Sequence, residues 1–491
     1  MSIGRDTSYN LAAAIAPALF MLAVIPFYLH AIGPERFGVL AICWTMVATL
    51  RFASLGMGPA LAYRLATMDE APTGSRSSLV WTALGVALAA SVAGAILVVG
   101  VGEIYFRYFF AAGSALEAEI RQALPLLAAL LPVAILIGVL NGALQGVRRF
   151  GALSGISILN AALFALAPLI VAYLITVKLN GLILATVVAN ALVAIVELAA
   201  CARLVPLQMP NWPRSSDTKA LLAYGAWMSG TALIAPLLLL LDRFVIGALR
   251  GPAAVAVYVL PYNLVQQLVL LPASLTTAVL PRLAPLRDEE VQQMQSSSLI
   301  WLNGVLTPLS IIAIALAAPF FRVWIGPTLA QAASPVAVIL LVGGWVHGIA
   351  HIPSTILLGR SRPDVVTKLL LACLAPYVAV LYFATVHFGV IGAAAAWTIR
   401  AAFDPILFAY TRPYPSDLRR VALSAAFVLA AMAAALFLSW TSATYWALIA
   451  VILAAACYQN RRVLISSAGT LRRMPLPFAA MGGGVVIGDG M

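Results

Sequence analysis

Two arginines lie inside long apolar stretches of the sequence, and they are the first candidates for binding chemistry. They are Arg51 and Arg400. A charged side chain at the centre of a bilayer costs about 2.5–3.5 kcal/mol even on the lenient insertion scale, so it usually faces a cavity or a partner. A guanidinium binds carboxylate or phosphate oxygens through paired, charge-assisted hydrogen bonds. We predict that role for both, although Arg51 could instead snorkel or pair, and Asp404, one helical turn along, could neutralise Arg400.

Four charged residues in or beside apolar stretches are candidates for coupling or gating. Asp404 and Glu197 are candidates for proton or sodium coupling, because intramembrane carboxylates often mark ion pathways. For Glu197 an interhelical pair or a position near the headgroups is the favoured alternative. Asp242 and Arg243 lie together at the end of an apolar stretch. This position indicates either an interfacial anchor or part of an outer gate, and we slightly prefer the gate.

Four further side chains are predicted to line a cavity or its mouth: Arg149, Lys368, Asn263 and Tyr258. The two cations would attract an anionic headgroup, or they simply follow the charge asymmetry of membrane loops. Asn263 could hydrogen-bond hydroxyl groups of a ligand or hold helices together. Tyr258 could stack on a ligand ring, although an aromatic residue in a span more often packs.

The remaining reactive residue types do not predict a metal or redox site. His347 and His351 share one helix face at i and i+4, as in helical zinc sites, but no intervening Glu or third ligand accompanies them. Polar lining of a cavity is therefore the favoured role. The four cysteines each lie alone in an apolar stretch, which indicates small core residues. We expect no cofactor and no metal.

The composition requires a membrane around these residues. Hydrophobic residues make up 63% of the 491 positions and charged residues only 9%, and the mean hydropathy is +1.02. A spanning helix needs about 20 apolar residues, and such runs recur along almost the whole chain. Backbone groups in lipid must be paired within their own segment, so the repeated runs predict helices rather than a β-barrel. The net charge of +12 is dispersed among short loops, which argues against a nucleic-acid partner.

The apolar runs predict about fourteen transmembrane helices, so the expected fold class is an all-α membrane protein. Their approximate bounds are 10–31, 37–62, 79–101, 123–141, 152–176, 181–203, 220–241, 253–277, 299–321, 335–358, 364–386, 389–411, 419–438 and 442–458. With the N-terminus in the cytoplasm, most Lys and Arg residues fall on inner loops, as the positive-inside rule requires. Both termini are therefore predicted to be cytoplasmic.

The spacing of proline and Gly-Pro motifs also predicts an internal repeat. Pro17 and Gly33-Pro34 have counterparts in Pro236 and Gly251-Pro252 at nearly constant spacing. Each half has an even number of spans, so the repeat is parallel and favours two bundles around a central cavity. The predicted organisation is an N-terminal lobe at 1–204, a cytoplasmic linker at 205–219, a C-terminal lobe at 220–412, a helix pair at 413–458, and a basic tail at 459–491 that is expected to be disordered.

Short motifs in three parts of the chain carry a family resemblance. They are Ile25–Tyr28, Ile32–Gly38, Ser54–Gly58 and Arg64–Ala66, then Leu241–Gly247 with Val257-Tyr258, and finally Gly359-Arg360 with Pro363 and Phe388–Ala394. Over roughly residues 8–412 the sequence resembles the polysaccharide transporters of the multidrug/oligosaccharidyl-lipid/polysaccharide flippase superfamily. The resemblance implies two six-helix lobes plus a peripheral helix pair. This chain departs from the family pattern at Ser54, where relatives often carry an acidic residue.

The resemblance implies a flippase, not an enzyme. Such a protein moves undecaprenyl-diphosphate-linked oligosaccharide from the cytoplasmic to the outer leaflet of the bacterial inner membrane by alternating access. Its expected partners are that lipid-linked oligosaccharide, membrane lipids and polysaccharide assembly proteins. The alternatives are a cation-coupled exporter of drugs in the same superfamily, a glycan polymerase or ligase, and a lipid-carrier scaffold. The short outer loops disfavour the enzyme, which would need an acid or metal site on a substantial outer domain.

Overall fold

The structure is a computed structural model of the 491-residue chain. It describes residues 3–50, 54, 56–67, 73–110, 113–205, 234–280, 283, 286–360 and 362–461. Four predictions fall wholly or largely outside these residues: the position of Arg51, the linker at 205–219, the first part of the span at 220–241, and the tail beyond residue 461.

The described residues form α-helices joined by short turns, and no strand occurs among them. The helices of the first part of the chain are α1 (Ile3–Leu50), α2 (Met57–Ala66), α3 (Thr73–Tyr108), α4 (Ser114–Gly146), α5 (Phe150–Leu174), α6 (Leu179–Leu204) and α7 (Ile234–Arg250). Those of the second part are α8 (Pro252–Val279), α9 (Asp288–Ile325), α10 (Pro327–Gly359), α11 (Pro363–Ala401), α12 (Phe408–Thr411), α13 (Pro415–Phe437) and α14 (Ala443–Gln459). A short 3-10 helix, Asp404–Leu407, joins α11 to α12.

Ten stretches of helix in the described part of the chain are long and apolar enough to cross a membrane, and α14 is a shorter apolar helix. The chain is therefore a multi-pass membrane protein with an all-α fold, as its hydropathy predicts. The predicted count of fourteen spans is approximate, because two of the ten stretches contain a backbone break. α1 breaks at Gly33 and α11 at Gly389, so each carries two of the predicted spans.

Gly-Pro pairs make tight connections between successive helices at Gly33-Pro34, Gly251-Pro252 and Gly326-Pro327, and the first two pairs belong to the predicted repeat. Gly33 has φ 74° inside α1, and Gly251 has φ 81° between α7 and α8. A side chain with a Cβ rarely adopts this backbone conformation, whereas glycine does so at little cost. The proline that follows each glycine fits the first turn of the next helix, where its missing N–H has no intrahelical partner in any case. Both glycines belong to the Gly-Pro pairs from which the repeat was predicted.

The chain divides into two compact units, Ser8–Ala256 and Val257–Met491, the latter with Met1–Thr7. In the first unit α4 packs against α2, α3, α5 and α6. In the second unit α10 packs against α9, α11, the 3-10 helix and α13. The boundaries predicted for the two lobes and the linker stay a prediction.

Small residues bring α2 and α4 of the first unit into backbone contact. Gly138, Gly142 and Gly146 follow one another every four residues along α4. A Cβ built on Gly142 would clash with the Gly58 carbonyl oxygen, and one on Gly58 would lie 2.6 Å from the Gly138 carbonyl oxygen. In lipid, where helices gain little from burying apolar surface, this close approach supplies the van der Waals contact that holds them together.

A buried hydrogen-bond network ties α13 and α14 to the rest of the second unit. Asn303 on α9 donates to Ser424 Oγ of α13 at 2.8 Å and lies 3.5 Å from Asn460 Oδ1, just after α14. Thr307 donates to Asn303 Oδ1 at 3.1 Å and accepts from Trp345 Nε1 at 3.0 Å. The C-terminal helix pair is thus joined to α9 by specific polar bonds as well as by packing.

Candidate functional site

The helix that carries Arg400 ends one residue after it, within a membrane-spanning stretch. Arg400 lies midway between the break at Gly389 and the end of α12 at Thr411. α11 stops at Ala401, and the chain continues as the 3-10 helix Asp404–Leu407. Pro405 has no N–H, so it cannot donate the next helical hydrogen bond to Ala401. The sequence predicted one continuous span over 389–411; the structure interrupts it beside its two charged residues.

The interruption gathers five side chains, which we name the Arg400 cluster: Arg400, Asp404, His347, His351 and Trp397. Only 8% of the Arg400 side chain is exposed. Its Nη2 lies 3.7 Å from Asp404 Oδ2, whereas His347 Nδ1 lies 2.7 Å from the same oxygen. Asp404 therefore has a close hydrogen-bond partner on α10 and a more distant charge partner on α11.

The Arg400 guanidinium makes no hydrogen bond to any residue that the structure describes. Its 3.7 Å separation from Asp404 is that of an ion pair, longer than a hydrogen bond. Its carbon Cζ lies 5.9 Å from the Trp397 ring centroid, a cation–π contact. The five N–H groups of the guanidinium thus keep their capacity for an anionic ligand.

Aromatic packing holds the cluster in place. Trp397 makes an edge-to-face contact with Tyr262 of α8, with ring centroids 5.6 Å apart, and Tyr262 stacks on Tyr258 at 5.7 Å. Gln266 Nε2 donates to the Tyr262 hydroxyl. Such aromatic pairs add about 0.5–1.5 kcal/mol beyond their buried area. Tyr258 is 1% exposed, so it supports the cluster from behind and offers no open face to a ligand.

The two histidines adopt the shared face predicted for them. Their ring centroids are 5.0 Å apart, and His347 also contacts the Trp397 ring at 6.4 Å. His351 Nε2 is buried without a hydrogen-bond partner among the described residues. No group of three or more His, Cys, Asp or Glu side chains that could hold a metal occurs in the described part of the chain.

The other predicted lining residues differ in exposure and in their own hydrogen-bond partners. Lys368 pairs with Asp364 at 3.3 Å on the surface, its side chain 78% exposed. Arg149 is exposed at the residue before α5. Asn263 is partly buried on α8, and its carbonyl accepts from Gln267 at 3.2 Å.

The gate and coupling candidates Asp242, Arg243 and Glu197 belong to the first unit. Asp242 and Glu197 are each 1% exposed, on α7 and α6. Arg243 Nη1 donates to the Ala41 carbonyl of α1 at 3.4 Å. The neighbouring Phe244 carbonyl accepts from the Tyr105 hydroxyl of α3 at 2.8 Å, which fixes the middle of α7 against α3. Asp404 is the coupling candidate of the second unit, and it lies within the Arg400 cluster.

Sequence reasoning did not find the pairing of His347 with Asp404. The two residues are 57 positions apart, so no local pattern connects them. A signal for the broken helix was present, since Asp404-Pro405 follows Arg400 within one turn and proline interrupts a helix.

The sequence is similar to a known protein family and to a curated transporter. The family described as polysaccharide biosynthesis protein matches residues 3–287. A curated protein of Shigella flexneri that carries the name O-antigen transporter is 25% identical over 418 residues, which are 84% of this chain and 98% of that protein.

Among the solved structures that share the fold are a flippase and a multidrug transporter. One is the lipid II flippase MurJ in an inward closed conformation, with a TM-score of 0.70 and 13% identity over 95% of this chain and 99% of that one. The other is an inward-facing multidrug resistance transporter of the MATE family, with a TM-score of 0.67 and 16% identity over 86% of this chain and 96% of that one.

Proposed function

The chain belongs to the family of polysaccharide biosynthesis proteins, and on that premise we propose that it is a flippase for undecaprenyl-diphosphate-linked oligosaccharide. It carries this lipid from the cytoplasmic to the outer leaflet of the bacterial inner membrane, for surface polysaccharide biosynthesis. The name of its Shigella flexneri relative and the fold it shares with a lipid II flippase support this choice. The protein transports and catalyses no reaction of its own.

The observation that carries the proposal is the buried Arg400 guanidinium at a broken transmembrane helix. Transporters typically build their substrate and ion sites where a spanning helix is interrupted, because backbone polar groups there face a cavity instead of lipid. The guanidinium has no hydrogen bond to a described residue, so a diphosphate can bind it without breaking one. Paired hydrogen bonds from arginine to phosphate oxygens are short and charge-assisted.

The position of His347 explains how Arg400 is able to leave Asp404 for a substrate. His347 Nδ1 lies 2.7 Å from Asp404 Oδ2 and keeps that carboxylate hydrogen-bonded when Arg400 turns away. A carboxylate without a partner in the membrane would have a high desolvation free energy. Its attraction for the guanidinium would then compete with a substrate for Arg400. The His347–Asp404 bond thus lowers the cost of separating Arg400 from Asp404 when an anionic ligand binds.

Alternating access completes the proposal. The diphosphate binds Arg400 from the cytoplasmic side and is released to the outer side, with Asp404 as the first candidate for ion coupling and Asp242, Arg243 and Glu197 as further candidates for coupling or gating. Arg51 is proposed as a second diphosphate ligand. The expected partners remain membrane lipids and polysaccharide assembly proteins.

A vesicle assay tests the function. The full chain is reconstituted into liposomes that contain lipid-linked oligosaccharide extracted from the host, and translocation is followed by oxidation of the sugar with periodate, which does not cross the bilayer. We expect oxidation of the initially protected lumenal pool with the protein and not in protein-free liposomes. Equal, slow oxidation in both would overturn the proposal.

The same vesicles separate the flippase from the drug exporter. The exporter alternative predicts ethidium movement driven by a proton or sodium gradient and no movement of the lipid. The flippase fold covers 95% of this chain and the multidrug transporter fold 86%, which favours the flippase. Gradient-driven ethidium movement without lipid translocation would establish the exporter instead.

A further inference from the structure

A polar face runs along α5 of the first unit, inside an otherwise apolar membrane helix. Ser154, Ser157 and Asn160 follow one another every three residues and therefore share one side of the helix. Other sides carry Leu159 and Ile170, which are 39% and 52% exposed, as lipid-facing residues are. A polar face on a membrane helix usually meets another polar group, because lipid cannot satisfy it.

This polar face borders a pocket between α5 and α1. The pocket has a volume of about 360 Å³ and is lined by Met21, Ser157, Asn160, Ala161, Phe164 and Ala165. The Tyr28 hydroxyl of α1 donates to the Ala165 carbonyl at 2.8 Å, which holds the two helices together beside the pocket. The volume falls at the lower end of the range of about 300–1,000 Å³ that small-ligand sites occupy.

Three buried polar atoms at or near the pocket have no hydrogen-bond partner among the described residues. They are Asn160 Oδ1, Ser154 Oγ and Trp44 Nε1. Trp44 packs on Phe164 of the pocket wall, with ring centroids 5.0 Å apart. A buried polar atom without a partner costs about 1–3 kcal/mol. Of the three, Asn160 belongs to the pocket lining, and a hydroxyl group of a ligand in the pocket would satisfy its Oδ1.

We propose that the α1–α5 pocket is a subsite for one sugar ring of the transported oligosaccharide, an assignment that rests on the proposed function. The apolar C–H face of the ring packs against Phe164, and its hydroxyl groups donate to Asn160 Oδ1. None of the described lining residues is charged, so the pocket suits a neutral ligand and not the diphosphate. The polar face disfavours an acyl chain.

Cysteine labelling tests the subsite. Ser157→Cys is made in the full chain after its four native cysteines have been replaced by alanine, and the rate of modification by a charged methanethiosulfonate is measured in detergent. The probe ligand is the lipid-free oligosaccharide released by mild acid from the host's lipid-linked pool, and sorbitol at equal osmolarity is the non-ring control. Lys178→Cys, exposed four residues after α5, is the matched control for reagent reactivity.

We expect the oligosaccharide to slow modification of Ser157→Cys at least threefold and sorbitol to leave it unchanged, while neither affects Lys178→Cys. Adding Asn160→Leu should abolish this protection. No modification of a variant with native melting behaviour would overturn the proposal by indicating a dry pocket, and so would equal rates with and without oligosaccharide. If Ser157→Cys melts abnormally, Ala161→Cys is scored by the same criteria.

These results are independent of the vesicle assay. Lipid translocation by the native chain without protection of Ser157→Cys would remove the subsite and leave the function standing. Protection without translocation would leave a sugar site in a protein that is not a flippase.

Discussion

At the scale of single residues, the Asp404 carboxylate has two partners of different strength. The 2.7 Å contact with His347 is a hydrogen bond, whereas the 3.7 Å separation from Arg400 is a weaker, purely electrostatic contact. The charge of Arg400 is therefore balanced by Asp404, while the N–H groups of its guanidinium keep their hydrogen-bonding capacity. This arrangement is compatible with both roles predicted for Arg400, the partner of Asp404 and the proposed ligand of an anion.

Replacing Arg400 by alanine should remove the diphosphate ligand. A hydrogen bond to a charged group contributes about 1.5–3 kcal/mol, which corresponds to roughly a 10- to 150-fold loss. We expect at least a tenfold lower translocation rate in the periodate assay. The matched control is Arg419→Ala, an exposed arginine on α13, which should transport at the native rate. Native transport by Arg400→Ala would exclude Arg400 from the site.

A paired substitution separates the structural role of Arg400 from its functional role. Asp404→Leu alone leaves a buried guanidinium without its counter-charge, and breaking a buried pair in this way costs about 3–5 kcal/mol. Replacing both residues by leucine removes both charges. We therefore expect the melting temperature in detergent to fall in Asp404→Leu and to recover largely in the double variant, with transport lost in both. A double variant as unstable as the single one would contradict the pairing.

At the scale of helices, contacts of two chemical kinds hold this protein together. α2 and α4 approach through glycines, so their contact is backbone against backbone. α13 and α14 attach to α9 through the Asn303 network, so their contact is polar and directional. Both solutions suit a bilayer, where apolar side chains gain no free energy by leaving lipid for protein.

The glycine contact should not tolerate a methyl group. In Gly142→Ala the new Cβ would clash with the Gly58 carbonyl, and overpacking of this kind costs about 1–3 kcal/mol. We expect a lower melting temperature in detergent. Gly155→Ala on α5 is the control, because a Cβ there meets nothing within 4 Å. Equal melting of the two variants would show that α2 and α4 are not packed this closely.

The polar contact should depend on Asn303 in the same way. Asn303→Leu removes the bonds to Ser424, Asn460 and Thr307. The bonds to Ser424 and Asn460 join α9 to the C-terminal helix pair, and such bonds average about 0.6 kcal/mol each, so we expect a loss of about 1 kcal/mol. Gln293→Leu, on an exposed position of the same helix, should melt as the native chain does. A native melting temperature for Asn303→Leu would contradict the role of the network.

At the scale of the whole molecule, hydropathy alone predicted the fold class because every spanning helix must be both apolar and long. The turns at Gly33 and Gly251 were also predictable, since Gly-Pro pairs punctuate helices locally. The contact between His347 and Asp404 was not, because it joins residues far apart in the chain. The repeated glycines at 138, 142 and 146 carried a readable packing signal that sequence reasoning passed over.

The central claim is that this membrane protein selects its lipid through the diphosphate. The most direct measurement compares two lipids that differ only there, undecaprenyl-diphosphate oligosaccharide and undecaprenyl-monophosphate oligosaccharide, in the same vesicles. We predict that the diphosphate lipid crosses at least about tenfold faster, the equivalent of about 1.4 kcal/mol, and that Arg400→Ala removes this preference. Equal rates for the two lipids with the native chain would contradict the account.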